Sequence, residues 1–221
     1  MAKYIIFLEG CSDAVFFNNL IFSLLPQGAK PFTDLKKFKK GVLIEICENP
    51  SISLFVSGGC AHIRNYNVKI SEYIDSGYKV ILIQDADSSL KDAVLGGVKK
   101  RNQFLESIKE EFEINFDVFL LPNNKDDGDL EDMLLQIADI KKYSTFYKNY
   151  KGYSCEVENF SCKEHASELL QKKYLIFNYC QVYTGMKESN EKNRNYLSEY
   201  WDLNHNVLTP VKEFLVEKLN L

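Results

Sequence analysis

The stretch YIIFLEGCSD, Tyr4–Asp13, and its counterpart VILIQDAD, Val80–Asp87, decide the fold. Each opens as an apolar run without polar interruption, the composition of a strand covered on both faces. Each closes in acid: Glu9-Gly10 in the first, Asp85-Ala86-Asp87 in the second. If the two runs are neighbouring parallel strands, all three carboxylates leave the sheet at one edge. Acids gathered there repel one another unless a cation lies between them. Hard divalent ions take oxygen ligands of this kind, and open α/β sheets bind ligands outside the carboxyl ends of their strands. The pattern predicts a Mg²⁺ or Mn²⁺ site built on Glu9, Asp85 and Asp87.

Outward from these two runs, Ser12 reads as the N-cap of a helix from Asp13 to about Leu25, with Val15, Phe16, Leu20 and Leu24 on one face. Pro26–Gly41 is a break carrying a basic stretch at Lys36–Lys40. Val42–Ile46 and Ile52–Val56 are strand-like about a turn at Asn49-Pro50-Ser51, and the second ends in Ser57-Gly58-Gly59. A helix is expected over Ile63–Ile74, a strand over Lys79–Ile83 and a helix over Lys99–Phe112. A strand at Asp117–Leu121 is closed by Pro122, and a helix follows from about Leu130 to Ile137. This alternation predicts an α/β domain over residues 1–140: a mainly parallel sheet of four to five strands with helices on both faces. Residues 141–221 read as a mostly helical extension packed on it. Its helices are expected over Cys162–Tyr183, Asn190–Tyr200 and from Pro210, in a first turn, to Leu219.

With 221 residues, 45% hydrophobic and 26% charged, the chain has the composition of an ordinary globular protein. A net charge of −4 gives no global attraction for nucleic acid, though local basic patches can reverse the field. Met1-Ala2-Lys3 runs straight into a strand, without a charged leader and apolar segment. The apolar runs are too short to span a bilayer. A cytoplasmic protein away from membranes is the expectation. The six cysteines form no CxxC pair, which argues for scattered reduced thiols rather than zinc. His62, His165 and His205 have no ligand spacing and read as structural or surface residues.

The acidic motifs resemble those of the Toprim domain, the metal-binding α/β module of topoisomerases, DnaG-type primases, RecR-like repair proteins and OLD-family nucleases. Its signature is a Glu after the first strand and a DxD after the third. Glu9, with Gly10, Ser12 and Asp13, matches the first motif; Asp85 and Asp87 match the second. Gly58-Gly59 falls where OLD-like members carry a glycine pair after the second strand. LLPNNKDDGDLEDMLLQIA, Leu120–Ala138, and YLSEYWDLNHNVLTPVKEFL, Tyr196–Leu215, are similar to stretches of small stand-alone Toprim proteins of the DUF3226 type. The chain lacks the Walker A motif of the ATPase that full OLD proteins carry.

The resemblance implies Mg²⁺- or Mn²⁺-dependent cleavage of DNA or RNA in bacterial defence or DNA metabolism. A separate ATPase partner and a homo-oligomer belong to the same implication. Asp85 and Asp87 would bind metal, and Glu9 would bind metal or shuttle a proton. Asp13 would also bind metal, and Glu131 would serve a second metal. Lys172 and Lys173 lie where OLD-like nucleases place a basic residue, so Lys173 would neutralise charge on the phosphate. Each assignment has a plain structural alternative. Glu9, Asp13 and Glu131 can stabilise helix N-termini, Gly58 and Gly59 can serve a tight turn as well as a phosphate, and the two lysines can be surface residues. Asp129 is a weaker site residue; Asp126, Asp127 and Asp132 read as solvated. Lys36, Lys37, Lys39 and Lys40 read as a solvated loop, with phosphate contact as the alternative. A non-catalytic, RecR-like binding module is the competing function. A phosphatase of the haloacid-dehalogenase type is disfavoured, because its DxD follows the first strand.

Overall fold

The computed structural model describes residues 2–26, 29–138, 172–185, 187 and 190–221. They divide into two units, Met1–Leu130 with Leu208–Leu221, and Glu131–Val207. The first unit holds a five-stranded sheet of β1 (Lys3–Leu8), β2 (Leu43–Glu48), β3 (Ser51–Val56), β4 (Tyr78–Asp85) and β5 (Asp117–Leu121), in the order β2-β3-β1-β4-β5. β3, β1, β4 and β5 run parallel, and β2 is an antiparallel edge strand folded back on β3. β1 lies in the middle, with Leu8 opposite Val56 on one side and Ile83 on the other. That position explains why Tyr4–Leu8 is buried and apolar along its length.

Six α-helices are described: α1 (Cys11–Leu24), α2 (Asn67–Asp75), α3 (Val98–Phe112), α4 (Leu130–Ile137), α5 (Lys172–Tyr179) and α6 (Thr209–Leu219). Alternation along the strands sends Ile5, Phe7, Phe55, Val80 and Leu82 to one face, where they pack with Ile70 of α2 and with Leu105 and Ile108 of α3. The Phe7 and Phe55 rings lie 4.7 Å apart. The opposite face carries Tyr4, Ile83 and Phe119. Phe119 stacks on Phe214 of α6 at 5.0 Å, and the Tyr4 hydroxyl accepts a hydrogen bond from Asn220. α1 covers β1 and β3 on this side and touches α6.

Several elements differ from expectation. α1 begins at Cys11 with Gly10 as its N-cap instead of Ser12, because the Asp13 carboxylate accepts the Gly10 N–H at 3.1 Å. The helix expected over Ile63–Ile74 opens as a 3₁₀ turn, Cys60–Tyr66, started by an N–H···O bond from His62 to Gly59, and is α-helical only from Asn67. Asn190–Tyr200 is not a helix. The Asn190 side chain caps a short 3₁₀ turn, Glu191–Asn193. Arg194 and Tyr196 are then both buried, two residues apart, a spacing that falls on opposite faces of a helix. α6 begins with Pro210 in its first turn, as expected, but belongs to the sheet unit through Phe214, Leu215 and Leu219, so the contact boundary falls at Glu131. Of the helix expected over Cys162–Tyr183, α5 and a π turn at Cys180–Thr184 are described. The remainder, with Cys155, Cys162 and His165, lies outside the described residues.

Candidate functional site

Glu9 follows β1 directly. Ser57 N–H donates to the Leu8 carbonyl at 2.8 Å and Gly58 N–H to the Glu9 carbonyl at 2.9 Å, so the β3–β1 pairing continues past both strands. The Gly58-Gly59 turn is thereby laid against Glu9. Both glycines have positive φ, +76° and +37°. A Cβ on Gly58 would lie 2.7 Å from Cε and Nζ of Lys40; a Cβ on Gly59 would lie 3.7 Å from Glu9 Oε1 and from His62 Nδ1. Gly58 N–H is committed to Glu9, so the expectation of N–H groups turned toward a phosphate does not hold there. The glycine supplies clearance for Lys40.

The end of β4 is built differently. Asp85 Oδ1 accepts the Leu130 N–H at 3.0 Å. Asp87 sits at φ +54°, pinned by its own N–H to the Gly128 carbonyl at 2.7 Å. A left-handed non-glycine residue of this kind costs on the order of 1 kcal/mol and persists only when its surroundings fix it. Arg101 of α3 donates to Asp87 Oδ2 at 2.6 Å, and the Lys91 ammonium lies 2.5 Å from Oδ1. Lys91 also reaches Asp129 at 3.4 Å, and Arg101 lies 3.6 Å from Asp92. The Arg101 side chain is 4% exposed and that of Lys91 53%. Partial burial works against the Lys91 charge, but the Asp87 hydrogen bond prevails and raises its pKa. Asp127 Oδ1 accepts the Val98 N–H at 2.9 Å, so it caps α3, which carries Arg101; it is not simply solvated. The connection from Ser88 to Gly97 closes on itself. Asp92 accepts the Leu95 and Val94 N–H groups, and a Cβ on Gly96 would fall 2.2 Å from the Ser88 carbonyl.

Glu9 is held by less, a hydrogen bond from the Asp85 backbone. Its Oε2 is buried without a hydrogen bond. Burial pushes its carboxyl above the ordinary range; Arg101 opposes this, the Asp87 charge adds to it, and Lys91 and the Asp85 backbone oppose it. The Cys60 thiol beside Arg101 is also raised by burial. Five carboxylates (Glu9, Asp85, Asp87, Asp92 and Asp129) thus face two cations, Arg101 and Lys91.

Among the described residues no three His, Cys, Asp or Glu side chains already converge as a metal-binding group. The chemistry of the set nevertheless fits a hard cation: carboxylate oxygens in excess of the cations, with Glu9 Oε2 and Asp87 Oδ1 both buried and only the latter met by an ion pair, from Lys91. Arg101 is enclosed, whereas Lys91 is half-exposed. A family model described as "protein of unknown function", DUF3226, matches residues 3–220. The chain belongs to this family. No curated protein and no solved structure matches it.

The other expected site residues of this DUF3226 chain fall elsewhere. Asp13 is buried at the start of α1, where it accepts hydrogen bonds from Gly10 N–H and the Ser12 hydroxyl. In the second unit Glu131 opens α4 and lies 3.7 Å from Lys173, whose side chain is 71% exposed. Lys172 pairs with Asp132 at 2.6 Å, so Asp132 is not merely solvated. Asp126 is exposed and accepts from Asn123. Asp129 is buried at the cluster. Lys91 and Arg101 were not singled out from the sequence. One signal for Arg101 was available: the chain has only three arginines among its 27 basic residues, and arginine is the cation suited to buried pairing.

Proposed function

We propose that this protein hydrolyses phosphodiester bonds of nucleic acid with the help of Mg²⁺ or Mn²⁺, in the manner of an OLD-like Toprim nuclease. The observation that carries the reading is the buried, unpartnered Oε2 of Glu9 beside Asp85 and Asp87 at one edge of adjacent parallel strands. Counted on the parallel strands, the acid follows the first, the glycine pair the second and the DxD the third, which supports the Toprim-like reading. Glu9, Asp85 and Asp87 would hold the cation, which would stabilise negative charge developing on the scissile phosphate. Arg101 fixes Asp87 through Oδ2, and Leu130 N–H fixes Asp85. Lys91 covers Asp87 Oδ1 and must leave it before that oxygen can act as a ligand. Glu9, with its raised pKa, is suited to hold or release a proton at Oε2. A role in bacterial defence or DNA metabolism, with a separate ATPase or as a homo-oligomer, belongs to this proposal.

A second reading, a non-catalytic RecR-like binding module, is favoured by one feature. Both Asp87 oxygens are neutralised by the chain's own cations. Incubating the protein, with any neighbour-encoded ATPase, on supercoiled, linear and single-stranded substrates in Mg²⁺ or Mn²⁺ separates the two. Cleavage should fall by roughly 10²-fold or more in Glu9→Gln, Asp85→Asn and Asp87→Ala. Undiminished cleavage in all three contradicts the assignment. Binding without cleavage selects the second reading.

A further inference from the structure

The basic stretch before β2 is held in place. Phe38, 1% exposed, anchors it, packed against Phe32 at 5.6 Å, and its carbonyl accepts the Cys11 thiol of α1 at 3.2 Å. Lys40 then bridges to Val56 in the parallel sense, and Gly41 N–H donates to the Val56 carbonyl at 2.8 Å. The backbone of Lys40 is therefore fixed at the carboxyl end of β3, and its stem lies across Gly58. Its exposed ammonium makes no hydrogen bond or ion pair among the described residues. Lys91 and Arg101 are committed to internal carboxylates; Lys40 is not. Across Gly59, the exposed His62 presents Nδ1 beside the same opening as Glu9 Oε1.

We infer that the Gly58-Gly59 turn is a seat for a backbone phosphate of nucleic acid, walled by Lys40 on one side and His62 on the other. This deepens the proposed function, on which it rests, by naming the groups that hold the substrate next to the carboxylates. Lys40 supplies the charge, because an uncommitted ammonium gains most from a phosphate and carries no base preference. His62 supplies a hydrogen bond. Gly58 gives the Lys40 stem room to cross, and Gly59 leaves the floor between Lys40 and His62 open. The excess of carboxylates at the cluster repels phosphate, so a cation fixed at its rim is what lets a polyanion approach.

Fluorescence anisotropy tests this with short fluorescein-labelled DNA single strand, its duplex and the RNA of the same sequence, in EDTA and again in Ca²⁺. The salt concentration is varied over roughly 50–200 mM. Lys40→Gln should weaken binding about threefold to tenfold, equally for every sequence, and lower the slope of log affinity against log salt by about one. Lys37→Gln, whose lysine pairs with Asp34, should change affinity less than about twofold. His62→Gln should weaken binding with an unchanged slope, and Gly58→Ala should act like Lys40→Gln. Unchanged affinity and slope in Lys40→Gln overturns the inference, as does a wild-type protein that binds none of the three probes in either condition. Binding that depends on Lys40 without cleavage in Mg²⁺ or Mn²⁺ leaves the seat standing and removes the hydrolytic reading. Cleavage indifferent to Lys40 does the reverse.

Discussion

The exits of β1 and β4 lie side by side, yet their acids are treated in opposite ways. After β4, Asp85 is tied by a backbone N–H, and Asp87 by Arg101 and Lys91. After β1, Glu9 is desolvated and its Oε2 meets no donor. A buried polar group left without a partner costs about 1–3 kcal/mol. The contrast separates two uses of acid at a sheet edge. Asp87 and Arg101 fix geometry, while Glu9 carries unspent capacity for a ligand from outside.

The largest effect is expected where that contrast is broken from the β4 side. Arg101→Met would leave Asp87 Oδ2 unpaired, with only Lys91 on Oδ1, and denaturant unfolding should show a loss of about 2–3 kcal/mol. A loss below about 1 kcal/mol would mean that the pair does not hold the site together. A milder break comes from Asp127→Ala, which removes the N-terminal cap of α3 without touching either exit. It should cost about 1 kcal/mol in the same assay. The smallest effect sharpens the β1 side and has the opposite sign. Glu9 has its folded pKa raised above the ordinary value of 4.5, so its contribution to stability is fully present below that pH and is lost as pH rises through the folded value. Glu9→Gln removes this dependence. In EDTA its melting temperature should exceed that of wild type by roughly 2–4 °C at alkaline pH. The difference should vanish as pH falls below 4.5. A constant difference across that range would mean that Glu9 is not desolvated.

Much of the sheet was legible because burial on both faces leaves a signal in a single stretch: Tyr4–Leu8 and Val80–Ile83 admit no polar residue. The placement of Glu9 beside Asp85 follows from the same two runs once they are parallel neighbours. What could not be read is contact across sequence distance. Arg101 lies fourteen residues from Asp87 on a charged helix that resembles any solvated one, and only the fold turns it inward. Asp127 looked solvated because its role depends on Val98, twenty-nine residues earlier. Asn190–Tyr200 reads as a helix in sequence, yet Asn190 closes a short turn and the chain runs on with Arg194 and Tyr196 both inward. The glycine pair was visible, with a turn and a phosphate as its expected uses, but its partner Lys40 was not, since Lys40 reaches Gly58 only in three dimensions.

The central claim, that the orphaned Glu9 oxygen is held for a cation, is tested most directly by calorimetric titration of the whole chain with Mn²⁺ at neutral pH. Saturable binding is predicted for wild type, because the carboxylate oxygens gathered there suit a hard cation. The affinity should weaken by about tenfold or more in Glu9→Gln. Equal Mn²⁺ affinity in the two proteins, or no binding to wild type, would contradict the account.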